Sequence, residues 1–153
     1  MKPGGCGTVY RDVTNPEQVG WLAVRYINRI DVPGDSVDLE EYFRTSPEIA
    51  PELPQELEGF FMQLRLPCSE ISGQAVINQT IVPPAREGVV SVVLDVDLFR
   101  TAEVPQDEEQ IWEFFEVLHE WKNRIFEACI TDSAKVCGRM RMMSFPIWDS
   151  ASI

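Results

Sequence analysis

Apolar and polar residues alternate with period two along WLAVRYINRIDV, Trp21 to Val32. Leu22, Val24, Tyr26, Ile30 and Val32 share one face; Ala23, Arg25, Ile27, Arg29 and Asp31 share the other, which predicts a strand ended by Pro33-Gly34. The same alternation recurs in Phe60 to Leu66, Gln74 to Val82 and Val89 to Phe99. In the last of these, Val90, Val92, Leu94, Val96 and Leu98 line one face, while Ser91, Asp95 and Asp97 interrupt the other. Their connections are too short for parallel crossovers, so these three strands are expected to form an antiparallel meander.

The period changes after Pro105. Ile111, Phe114, Phe115, Leu118, Trp121, Ile125 and Cys129 recur at steps of three and four, which predicts one long amphipathic helix between Asp107 and Thr131. About 22 helical residues span roughly 33 Å, enough to cross a four-stranded sheet. Asp107 is placed to cap it, with Gln110 three positions on as in a capping box. A short helix through Leu39–Phe43, capped by Asp35, Ser36 or Asp38, and another after Thr131 that ends near Gly138 complete the expected helices. Pro47, Pro51 and Pro54 forbid a long helix between them.

The predicted fold class is α+β: a four-stranded antiparallel sheet with the long C-terminal helix packed on one face. Residues 1–18, rich in Gly, Pro, Asn and Asp, are expected to be an irregular lead-in. Residues 19–140 form the single domain. Residues 141–153 form an apolar tail without a period, free to dock on the domain or on a partner.

Composition narrows the function. The 153 residues carry 25 acids against 13 bases, a formal net charge of −12. Such a surface repels phosphate backbones and anionic membranes, so no nucleic acid and no membrane is expected as a partner. The start has no apolar stretch of the kind an export signal needs, and Cys6, Cys68, Cys129 and Cys137 form no CxxC pair. Reduced thiols in a cytoplasmic protein follow as the expectation. One histidine and unpaired cysteines make a metal site improbable, and no cofactor motif occurs.

RYINRID, LDVDLF and KNRIFEACIT (Arg25 to Asp31, Leu94 to Phe99, Lys122 to Thr131) resemble an uncharacterised family sporadically distributed in bacteria and archaea. That family has an RYINRI-type strand, a later LDID-like strand and a KNxxFExxIT-like helix end, in the same order. The resemblance carries no activity over. It does imply a further region before the first of these strands, so this chain looks like the family's C-terminal portion. A sheet deprived of such a region would expose an edge or an apolar face and favour self-association.

Asp95 and Asp97 are two apart on a strand, so their carboxylates face the same way about 7 Å apart at the backbone. They suit either a metal or acid/base pair, or ion pairing with Arg25, Arg29 or Arg65 on matching faces. Arg25, Asn28 and Arg29 put two cations and an amide in one strand, a set that can hold a carboxylate or phosphate or simply neutralise acids across the sheet. Lys122 has no acidic neighbour at helical spacing and is read either as reaching to Asp95 or Asp97 or as a solvated lysine. His119, beside Glu116 and Glu120, is expected to face solvent. No nucleophile–base constellation emerges, so no catalytic residue is assigned. Two functions remain: a non-catalytic interaction module that works as a homo-oligomer or with a protein partner, or a protein or enzyme that binds a small anionic ligand on the polar sheet face. The candidate ligand set is Arg25, Asn28, Arg29, Arg65, Asp95, Asp97 and Lys122.

Overall fold

Each alternating segment becomes a strand, because period two lets one face be buried and the other stay polar. The computed structural model describes residues 19–137 and 141–150. The strands are β1 (Val19–Pro33), β2 (Phe61–Cys68), β3 (Gly73–Val82), β4 (Val89–Arg100) and β5 (Arg141–Ser150). The helices are α1 (Leu39–Tyr42), α2 (Glu108–Cys129) and α3 (Asp132–Val136). The lead-in 1–18, with Cys6, and Gly138 lie outside the described residues.

All pairings are antiparallel, in the order β2-β3-β4-β1-β5. The expected meander is β2-β3-β4, and β1 closes the four-stranded layer against β4, with Tyr26 opposite Val96. The segment from Arg141, expected to be an aperiodic tail, adds a fifth strand along β1. Strand pairing joins backbones and needs no side-chain period, and the outer side of β1 offers a long unpaired row. Pro146, opposite Val24, is tolerated because β5 is an edge strand.

The long helix packs across the even-numbered positions of β1 and β4. Asp107 caps it by accepting from the backbone N–H groups of Glu109 and Gln110, at 3.0 and 3.4 Å. Gln106 bonds both backbone groups of Val19, which ties the helix start to the start of β1. The buried stripe is Ile111, Phe114, Phe115, Leu118, Lys122, Phe126 and Cys129. Trp121 and Ile125, expected on that stripe, are only half-buried. The stripe advances by 3.6 residues per turn, so its later members fall one position on, at Lys122 and Phe126. Leu22, Val24, Val96, Leu98 and Leu118 have no exposed surface, and each such side chain contributes about 1.5–3 kcal/mol relative to exposure. Phe126 meets Tyr26 edge to face at 5.5 Å between centroids.

The other helix ends fit their caps. Asp38 accepts from Glu40 N–H, and Thr131 Oγ1 from Ala134 N–H. Thr131 Oγ1 also donates to the Glu41 carbonyl, and Phe43 bridges to Ile130, so α1 is fastened to the junction of α2 and α3.

Candidate functional site

Odd-numbered positions of β1, β2 and β4, and even-numbered positions of β3, point away from α2. Register brings Arg25 opposite Asp97, and Asp97 opposite Val76; one row on, Ile27 faces Asp95, Asp95 faces Asn78, and Asn78 faces Gln63. Five of the seven ligand candidates therefore share this face: Arg25, Arg29, Arg65, Asp95 and Asp97.

Its centre is an ion pair. Arg25 reaches diagonally past Asp97 and donates Nε to Asp95 Oδ1 at 3.0 Å and Nη2 to Oδ2 at 2.8 Å. Such a two-point fork fixes the planar guanidinium against the carboxylate. The Asp95 side chain is 8% exposed and that of Arg25 44%. The pair continues as a chain of hydrogen bonds across the sheet. Asn78 Nδ2 donates to Asp95 at 3.3 Å, Gln63 Nε2 to Asn78 at 2.9 Å, and Arg65 Nε to Gln63 at 3.2 Å. The hydrogen bond to Asp95 raises the proton affinity of Arg25, with burial working against it.

A second cluster neutralises Asp31. Its Oδ1 accepts from Ser91 Oγ at 2.5 Å and from Arg29 Nε at 3.2 Å, and Arg86 stands at 3.8 Å from Oδ2. Arg29 also donates to the Pro83 carbonyl. Burial pushes the Asp31 carboxyl up, but the bonds from Ser91 and Arg29 and the charges of Arg29 and Arg86 outweigh it, so the group sits below its ordinary value.

Asp97 is the odd member. It is half-buried, and its Oδ1 is buried without a hydrogen-bond partner among the described residues. Burial first, then the Asp95 charge, push its carboxyl up; Arg25 only partly offsets them.

Asn28 and Lys122 lie on the opposite face, under α2. Lys122 reaches neither Asp95 nor Asp97, and it is not solvated. Its Nζ sits 4.2 Å from the centre of the Tyr26 ring and 3.2 Å from His119 Nδ1. The sheet itself separates the helix from the odd face, so the expected reach is blocked. Burial lowers the proton affinity of Lys122; His119, half-buried rather than solvated, is lowered by burial and then by the Lys122 charge. Asn28 is fully buried, and neither its amide nitrogen nor its oxygen has a partner among the described residues. Gln79, two strands away in the same row, likewise has an unpartnered Nε2. Burying an unpaired amide is costly, so Asn28→Leu is expected to raise stability by about 1–3 kcal/mol, read as a higher urea midpoint. A lower midpoint would show instead that the amide is bonded in the folded protein.

Sequence reasoning placed the arginines and aspartates on one face from parity alone. It did not single out Asn78, which links Gln63 to Asp95. The signal was present: Asn78 has the parity of the polar face on the neighbouring strand.

Two cavities flank the proline-rich loop after α1. One, of about 310 Å³, is lined by Val37, Leu57 and Ile81 with Asp35, Glu56 and Glu58 at its rim. The other, of about 650 Å³, is lined by Leu39, Pro47 and Ile49 with Asp38, Glu40 and Glu48. Ser91 lines the first, but neither is lined by Arg25, Asp95 or Asp97, and their acidic linings repel anions. Among the described residues no group of three or more His, Cys, Asp or Glu side chains is arranged to hold a metal ion, and no helix is long and apolar enough to cross a membrane. No family model, no curated protein and no solved structure matches the chain.

Proposed function

We propose that the protein is a non-catalytic interaction module that works as a homo-oligomer through the side of the sheet not covered by α2. One observation carries this reading: the arginines of that face are already committed to partners within the chain. Arg25 is committed to Asp95, Arg29 to Asp31 and Pro83, and Arg65 to Gln63. A small anion would have to displace Asp95 from a two-point fork, which makes the anion-binding alternative the weaker one.

With Arg25 paired to Asp95 and Arg29 to Asp31, contact falls to the apolar residues between them. Ile27, Val76 and Val93 are only half-buried, and Phe61 is 69% exposed. A mixed surface whose central ion pairs are already made suits a protein interface, because those pairs stay compensated when a partner covers them. The segments that resemble the bacterial and archaeal family fall on β1, β4 and α2, the elements that build this layer.

Light scattering across the micromolar range tests the proposal. The expected result is a mass above that of one chain, rising with concentration. A strict monomer throughout would contradict it.

A further inference from the structure

The uncovered layer ends in β2, and among the described residues nothing pairs with its outer side. Natural edge strands are usually blunted by charge, proline or a covering segment. Here the edge carries Arg65 and Pro67 but keeps exposed apolar residues beside them. Phe61 and Leu66 are exposed on it, and Phe61–Cys68 contains no acid, in a chain with 25 of them. Two copies of a −12 chain repel broadly, so contact is cheapest where each surface lacks negative charge.

We infer that β2 pairs antiparallel with β2 of a second copy, in the register that sets Gln63 opposite itself. This rests on the oligomeric reading above and adds to the open face a second contact, at the edge of the same sheet.

The register follows from elimination. Pro67 has no N–H to give β3, so the backbone groups of its parity, those of Phe61, Gln63 and Arg65, are the ones that face the open edge. A two-fold axis at Gln63 pairs Gln63 with Gln63 and Phe61 with Arg65, and about six backbone hydrogen bonds form. Each exposed Phe61 ring then meets a guanidinium of the other copy, a favourable cation–π pair. On the helix side, Met62 meets Leu64 and Phe60 meets Leu66, so apolar faces apolar. Moving the axis to Leu64 keeps the same number of backbone bonds but sets Pro67 against Phe61, so the ring no longer meets a guanidinium. An axis at Arg65 opposes two like charges. A one-residue slip turns the polar face against the apolar one.

The contact is short, below the usual area of a permanent dimer, so association should be reversible and concentration-dependent. Screening the mutual repulsion with salt should strengthen it, the opposite of an interface held by ion pairs.

Cysteine scanning of the full-length chain tests the register. In a Cys6→Ser, Cys137→Ser background, Gln63→Cys and Arg65→Cys are each oxidised with copper–phenanthroline at micromolar protein. Both sites are exposed, so neither change threatens the fold. Facing residues of a hydrogen-bonded pair lie within disulfide reach, whereas the two copies of position 65 are separated by four residues of strand. The expected result is a covalent dimer through position 63 that forms at least about tenfold faster than through position 65. Equal rates, or no dimer through 63 while light scattering still reports an oligomer, would overturn the β2 pairing and leave the oligomeric reading standing. A monomer in both measurements would remove both.

Discussion

Gly73→Ala is expected to destabilise the protein by about 2–4 kcal/mol, or to stop it folding. A Cβ at Gly73 would lie 2.2 Å from the Phe99 carbonyl oxygen and 3.1 Å from its carbonyl carbon. Both atoms are backbone, so no rotamer relieves the overlap. Either the first residues of β3 move, breaking the pairing of Gly73 with Cys68, or the end of β4 moves, where Phe99 pairs with both Gln74 and Ala23. Each route disturbs pairing at that end of the layer. Gly59→Ala is the control: a Cβ there meets nothing within 4 Å, and the change should stay within about 0.5 kcal/mol of neutral. Urea unfolding of the two variants, side by side with the natural chain, reads the contrast. Equal effects would show that β3 and β4 do not approach this closely.

Arg25→Ala should cost about 2–3 kcal/mol. It removes two hydrogen bonds from a carboxylate whose side chain is 8% exposed, leaving it only the 3.3 Å bond from Asn78. It also removes the one positive charge that offsets burial and Asp95 at the Asp97 carboxyl, so two acids are left facing each other. The figure lies below that for a fully buried pair because the guanidinium is 44% exposed and water screens part of its charge. A loss near zero would reduce the pair to an ordinary surface contact.

The sheet and its helix were legible because both periods are strongly written. Leu22 to Val32 and Val90 to Leu98 alternate without a break on their buried faces apart from Asn28. The N-cap at Asp107 was equally plain. What the sequence hid has physical causes. The strand from Arg141 carries no clear alternation in its sequence, and its pairing joins its backbone to that of β1. Lys122 read either as reaching to Asp95 or Asp97 or as solvated, yet it is buried and its ammonium rests on the Tyr26 ring, which a residue-type pattern cannot express. Parity gathered Arg25, Arg29, Arg65, Asp95 and Asp97 on one face, but not the partners: Arg25 bonds the diagonal Asp95 rather than Asp97 directly opposite. That choice depends on strand register, which only pairing fixes.

A double-mutant cycle on Arg25→Ala and Asp95→Ala, followed by urea unfolding at neutral pH, tests most directly whether the open face neutralises itself. The account expects the two losses to overlap, with a coupling of roughly 1–2 kcal/mol between the side chains. Additive losses, with a coupling below about 0.3 kcal/mol, would contradict it, because both groups would then be free to bind something else.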